Sequence, residues 1–415
     1  MNKNIKLAVA GAVLALSATA ANAGIVIPAG DWSLDVSGNV NMFSAWTKSD
    51  ANHTVNGGLT GFAGAGNNTS HNMTTGLLPN FLSIGGTTRQ NDLDVSFVIS
   101  LQPGSSNTNG VQDVNSTGGG GLNNRQSFIT FGDKSWGSVK VGKDLGIFAS
   151  DAILSDMTLL GVGAPSLLGT TTLGRIGTGF QYADWKQQIA YTTPNFNGFQ
   201  ATVGITQAWG TWSLGASDAT TTTAVSHTSG KTGGASPAFE GKASYSFAAN
   251  DVNGKIWVSG FTQKVDGVAQ SENQAWSADI GANIKVAGFD LTGYYYGGEG
   301  TGTTIMLLDG YSANNAANSS GLKKRDVDGG YVQAKYTLPF KTVAGLSWGQ
   351  SNLDKVSGES VDALVKSNEM WTAGLYHPLT KHVNLVAEYS HILSERQDGQ
   401  EATNNAGSLG AILFF

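Results

Sequence analysis

Six histidines, at His53, His71, His227, His377, His382 and His391, are the first side chains to weigh as general bases or metal ligands. None has the His-Glu-x-x-His spacing that puts two imidazoles on one helix face, so no metal hydrolase is expected. Ser390 and His391 are adjacent with Glu388 nearby, which invites a serine-hydrolase reading. In an extended strand, however, neighbouring side chains point to opposite faces, so this Ser and His cannot pair as nucleophile and base within one strand. Gly174-Arg175-Ile176-Gly177-Thr178-Gly179 has glycines suggestive of a phosphate loop, but not the strand and helix that would aim its amides at a phosphate. Asp251-x-Asn253-Gly254 is a fragment of a calcium loop without the remaining ligands, and reads as a tight turn. The expectation is therefore no catalytic residue, no cofactor, no metal and no enzyme. With no Cys in the chain, disulfides and thiol chemistry are excluded.

The elements that hold these residues are strands. Lys3 and Lys6 precede an apolar run from Leu7 to Leu16 and then Ala21-Asn22-Ala23, the pattern of a secretory signal over residues 1–23, cleaved after Ala23. Residues 24–415 read as one domain, with no charged or Pro-rich linker dividing them. A net charge of −6, more negative once Lys3 and Lys6 leave, argues against a nucleic-acid partner. Only 13% of residues are charged, about half the share of an ordinary soluble domain, while Gly (57) and aromatics (10 Trp, 11 Tyr, 17 Phe) are abundant. Such a surface faces something other than water. No mature segment has the 18 or so apolar residues of a membrane helix, which leaves a barrel whose every second residue meets lipid.

Period-two alternation supports that choice. Val36, Val40, Met42 and Trp46 share one parity and Asp35, Ser37, Asn39 and Asn41 the other. The pattern recurs at Leu93-Val95-Phe97-Ile99-Leu101, at Ala278-Ile280-Ala282-Ile284-Val286 and at Leu409-Ala411-Leu413-Phe415. Short connections such as Asn195–Gly198 and Pro378–Lys381 alternate with long ones, as expected of an up-and-down barrel with short periplasmic turns and long external loops. Counting between connections predicts sixteen antiparallel transmembrane strands, an all-β fold, with ambiguous parity over 80–88 and 125–132. Apolar parity outward leaves Asp35, Asn39, Asn41, Asp94, Lys140, Lys242, Lys335 and Glu388 facing the lumen, along with Asp279, Lys285 and Asp290. Trp46, Trp371 and Tyr389 have lipid-facing parity and fit an interfacial girdle, whereas Tyr294 and Tyr296 have channel-facing parity.

Ser127-Phe128-Ile129-Thr130-Phe131-Gly132-Asp133, continuing through Trp136-Gly137-Ser138-Val139, the stretch Ile189–Phe199, and the terminal Phe415 together resemble the general porins of Gram-negative outer membranes. The resemblance implies a homotrimer surrounded by outer-membrane lipid and lipopolysaccharide, with Phe415 as the signal read by the barrel-assembly machinery. It implies a channel for passive diffusion of ions and small hydrophilic or mildly amphipathic solutes. A substrate-selective uptake channel and a loop-plugged, adhesin-like barrel are the alternatives. It also implies a third external loop folded into the pore, matching residues 144–179, where family members set an acid against wall arginines. Arg89, Arg125 and Arg175 are the arginines near those positions.

That loop carries Ile147, Phe148, Ile153, Leu154, Met157, Leu159, Leu160, Val162, Leu167 and Leu168, with Asp151 and Asp156 its only charges between Leu145 and Arg175. So many apolar groups need cover, which the inner wall would provide. Two outcomes are open: the apolar groups pack on the wall and only Asp151 and Asp156 meet solute, or some, with Leu159 and Leu160 as candidates, line the constriction and favour amphipathic neutrals over hydrated anions.

Overall fold

The computed structural model describes residues 24–50, 55–60, 68–104, 122–168, 171–209, 236–265, 274–312, 323–359 and 361–415; the side chains of 166–168 are not among those described. The expected leader, His53, His227, and the Leu167 and Leu168 side chains lie outside it.

The alternating stretches form sixteen barrel strands. They are β1 (Trp32–Asp50), β2 in two pieces (Thr69–Thr74 and Phe81–Gln90), β3 (Leu93–Pro103), β4 (Ser127–Asp133), β5 (Gly137–Leu145), β6 (Trp185–Thr192), β7 (Phe199–Thr206) and β8 (Ala238–Ala249). The second half comprises β9 (Val252–Lys264), β10 (Gln274–Val286), β11 (Phe289–Glu299), β12 (Asp326–Thr337), β13 (Val343–Leu353), β14 (Val365–Pro378), β15 (Val383–Arg396) and β16 (Glu401–Phe414). Each pairs antiparallel with its neighbour, and β1 pairs with β16 from Asn39↔Phe414 to Asp50↔Thr403, so the sheet closes without an open edge. On β1, Asn39, Asn41, Phe43, Ala45, Thr47 and Ser49 are buried toward the interior while Val40 and Trp46 stay exposed on the outer face. Trp371 stacks 5.4 Å from Tyr389 on that outer face, which suits lipid and headgroups.

Two features depart from a plain barrel. Ile25–Ala29 forms a short extra strand on β1, with Ile25↔Val36 and Ala29↔Trp32, occupying the edge of β1 below the point where β16 ends. The gap in β2 is an inward excursion. Pairing with β1 stops at Phe43↔Thr74 and resumes at Asn39↔Phe81, so Thr75–Asn80, all buried, spans only three β1 residues and enters the barrel. Asn41 Nδ2 donates to Leu78 O (2.9 Å) and Asn39 Nδ2 to Pro79 O (2.9 Å), satisfying carbonyls that leave the ladder. The break precedes the ambiguous stretch 80–88, which is itself continuous strand over Phe81–Gln90, and the stretch 125–132 resolves with β4 beginning at Ser127.

Candidate functional site

Beyond Leu145 the chain turns into the barrel and returns to the wall at Trp185. Within this loop lie a helix (Ser150–Ser155), a 3-10 turn (Met157–Leu160) and a hairpin (Ala164–Leu168 with Thr171–Gly174). Phe148, Met157, Val162, Ile176 and Phe180 are buried against inward-facing wall residues such as Phe43, Phe261 and Tyr331.

Wall side chains hold its backbone at three stations. Glu240 of β8 accepts the N–H groups of Ile147 (2.7 Å) and Phe148 (2.9 Å), and its charge is met by Lys186 Nζ at 2.6 Å. Glu388, far around the wall on β15, accepts those of Val162 (2.7 Å) and Gly163 (2.9 Å) and the Tyr376 hydroxyl (2.7 Å). The loop passes so close here that a Cβ on Gly161 would sit 2.1 Å from Glu388 Oε1, so any larger residue would push aside the carboxylate that holds Val162 and Gly163. Midway, Gln333 of β12 accepts Met157 N–H (2.6 Å) and donates to Ser155 O (3.0 Å), while Tyr331 OH donates to Ala152 O (2.8 Å). A second loop follows the first inward: Gly300–Ser312 is buried throughout, and its Thr304 O accepts Tyr182 N–H at 2.8 Å.

The two acids of the first loop have different surroundings. Asp151 reaches the wall, with Lys242 Nζ at 3.0 Å and Lys255 Nζ also in contact; the two lysine side chains remain 24% and 34% exposed. Burial works to raise the Asp151 carboxyl, but attraction from both lysines outweighs it and holds the group below its ordinary range. Asp156 and Arg175, by contrast, are both fully buried, 3.7 Å apart, with Asp156 capped by Thr158 N–H (3.0 Å) and Arg175 donating to Met370 O (3.0 Å) and to Ser347. Burial pushes the Asp156 carboxyl above its ordinary value against the pull of Arg175.

The expectations for individual residues divide accordingly. Lys140, Lys242 and Lys335 face inward with water contact: Lys140 pairs with Asp144 and Lys335 with Asp290 (3.1 Å), which also lies 3.7 Å from Lys285. Asp35 shares their half-buried exposure. Asn39, Asn41 and Glu388 face inward too, but they hold inserted backbone and do not reach open lumen, a correction to the parity reading. Asp156 and Arg175 are likewise corrected: they form a sealed ion pair and do not line a constriction. Arg89 is at the short-turn end of β2, bound to Asp94 (2.8 Å) and Asp133 (3.0 Å), and is not brought to the loop. Arg125 is brought there, its guanidinium 5.8 Å from the Trp185 ring centroid. Leu159 and Leu160 both pack against the cluster that holds Phe43 and Val386, and Leu159 in addition borders a cleft with Leu154. Tyr294 and Tyr296 do turn inward but are buried beneath the loop. Ser390 bonds Thr372 inside the wall (2.9 Å) while His391 contacts Asn405 (2.9 Å), so the two point apart. Phe415 closes the seam by exchanging backbone bonds with Gly38 at 2.8 and 3.0 Å.

Sequence reasoning missed Glu240, Gln333, Tyr331 and Lys255 as partners of the loop. It also missed the second inward loop, whose run Ile305-Met306-Leu307-Leu308 is the same apolar signal that singled out the first.

A closed sixteen-stranded barrel with an apolar exterior, a lumen carrying charge and loops folded inside defines a membrane channel. A family model described as Gram-negative porin matches residues 8–397. Among solved structures, the outer membrane channel DcaP of Acinetobacter baumannii is 16% identical, with 95% of this chain and 100% of that one covered at a TM-score of 0.65. An anion-selective porin from Comamonas acidovorans (14% identity, 92% and 100% covered, TM-score 0.59) and Salmonella typhi OmpF in complex with daunomycin (16%, 94% and 100%, 0.59) share the fold. The curated proteins contain no match. The chain belongs to the Gram-negative porin family and is an outer-membrane β-barrel channel for passive diffusion of small solutes.

Proposed function

We propose that the narrowest part of the route runs past Asp151, Lys242 and Lys255, and that it passes small hydrophilic solutes with a preference for anions, without catalysis. The observation that carries this is exposure at the loop: Lys242 and Lys255 keep partial access to solvent, whereas Asp151, which they contact, and Asp279, which acts on it through space, are almost covered. Lys140, Lys285 and Lys335 are also partly exposed, but each is met by an acid, Asp144 or Asp290, so the imbalance in exposed charge is confined to Lys242 and Lys255. In a passage with low-dielectric walls such a surplus raises the local concentration of anions. A similar fold, OmpT of Vibrio cholerae, is known in a trimer form, which supports a homotrimer here as well. Outer-membrane lipid and lipopolysaccharide would cover the remaining exterior, and Phe415 at the seam would serve recognition by the assembly machinery. The volume given up to inserted segments favours a narrow, discriminating channel over a wide one. Purified protein in a planar bilayer should open in conductance steps, grouped in threes for a trimer; absence of steps across voltages and salts would contradict the reading.

A further inference from the structure

The outer side of the constriction is chemically unlike the lysine wall. Arg125, just before β4, holds its guanidinium over the face of Trp185, whose indole N–H donates to the Tyr182 hydroxyl at 2.8 Å and is thereby fixed in orientation. Among the described residues no carboxylate pairs with this guanidinium, and its backbone N–H is separately satisfied by Gln102 Oε1 at 2.9 Å. Every other arginine treated above has an acid within reach: Arg89 has Asp94, Arg175 has Asp156. Asp184, half-buried, acts on Arg125 only through space; it accepts the Trp185 backbone N–H at 2.7 Å and also feels Lys186 and Lys143. Facing Arg125 across a cleft are Leu77 and Leu78, from the inward excursion of β2, and Leu154 and Leu159, from the constriction loop. Two separate chain segments thus bring apolar groups to a cation that no described carboxylate pairs with.

We propose that this cleft is a subsite for small aliphatic carboxylates. The carboxylate would dock on the paired N–H donors of Arg125, for which its geometry is suited, and the hydrocarbon tail would lie along Leu77, Leu154 and Leu159. The cleft is small and partly open, so a tail lies along its apolar wall and the solute is never enclosed. Weak, open binding of this kind is what a conducting path needs, since a solute must leave as readily as it enters. The subsite rests on the reading of the barrel as an open passage, and deepens it by naming a solute class that meets the cleft before the lysines.

The test uses the full-length protein and hexanoate, with acetate (no tail) and hexanamide (no charge) as controls. In planar bilayers, hexanoate added on the long-loop side should lower potassium chloride current reversibly at concentrations where acetate and hexanamide do not. Arg125→Gln should raise the half-blocking concentration about tenfold, the loss expected for one charge-assisted contact. Leu154→Asn should weaken hexanoate while leaving acetate unchanged. In detergent, saturation-transfer NMR should show contact to the hexanoate methylene protons that falls in Arg125→Gln, an arm that requires no conduction. NMR contact without any channel current would leave the subsite standing and remove the open passage. Equal effects of hexanoate and acetate in a conducting wild type, or an Arg125→Gln protein indistinguishable from wild type in both arms, would overturn the subsite.

Discussion

Asp151 and Asp156 lie five positions apart on one loop, yet they occupy opposite electrostatic settings. Asp151 extends to two wall lysines at the edge of water; Asp156 is sealed with Arg175 behind the same loop. Where solvent reaches a pair, its charges can act on a passing ion; where solvent is excluded, they act on the fold alone, because leaving either partner without the other is costly. Residue type places neither acid; the contacts of the surrounding turn do. The helix Ser150–Ser155 carries Asp151 in its first turn toward β8 and β9, and the break at Asp156, whose backbone is extended, turns the next carboxylate back to cap Thr158.

The comparison can be broken most severely at the sealed pair. Arg175→Met leaves a buried carboxylate unpaired and should cost about 3–5 kcal/mol, seen as a large loss of heat-modifiable barrel and a lower denaturation midpoint. The double replacement Asp156→Leu with Arg175→Met should recover much of that stability. Failure of the double variant to recover would show that the pair does more than satisfy itself. Next in size, Asp151→Asn frees both lysines and should shift the reversal potential toward anions by several-fold in permeability ratio, with folding yield close to wild type. An unchanged potential would place Asp151 outside the ion path.

A smaller effect is expected from the leucines. Leu159→Ser, at the cleft, should raise salt conductance modestly by replacing an apolar boundary with one that can bond water, at some cost in stability, whereas Leu160→Ser, packed on the same Phe43 cluster, should lower stability without that gain. Equal conductance in the two variants would put both on the wall. Smallest of all is a pH response. Because Lys242 and Lys255 hold the Asp151 carboxyl below its ordinary value, its charge and its contribution to stability are present above the unfolded value of about 4 and are lost only as pH falls through the lower folded value. Asp156 has the reverse sign: its folded value is raised, so its contribution is greatest in acid and is lost as pH rises through that value. The reversal potential of wild type should therefore stay flat down to about pH 4, and a change that tracks an ordinary carboxylate would contradict the lysine contacts.

Strand parity was legible because lipid on one side and water or protein on the other impose period two on a strand, and with the spacing of the connections it gave sixteen strands even though parity was ambiguous in two of them. It also oriented Lys140, Lys242 and Lys335. What parity could not tell is whether an inward residue meets water or another part of the chain. Asn39, Asn41 and Glu388 satisfy inserted backbone, a demand that arises only once Thr75–Asn80 and the residues after Leu145 have entered the barrel. The apolar content of 144–179 did announce insertion, and the same reasoning applied to Ile305–Leu308 would have announced the second loop. Arg89 was grouped with Arg125 by residue type alone; its place beside the turn at Asn91-Asp92 follows from strand length, which the ambiguous stretch 80–88 obscured.

The central claim is that an open passage bordered by Lys242, Lys255 and Asp151 favours anions. Zero-current potential across a planar bilayer with a potassium chloride gradient tests it most directly. The potential should take the sign set by chloride, grow when Asp151 becomes Asn and shrink when Lys242 and Lys255 become Gln. A potential of the sign set by potassium in the wild type, unmoved by any of these replacements, would contradict it.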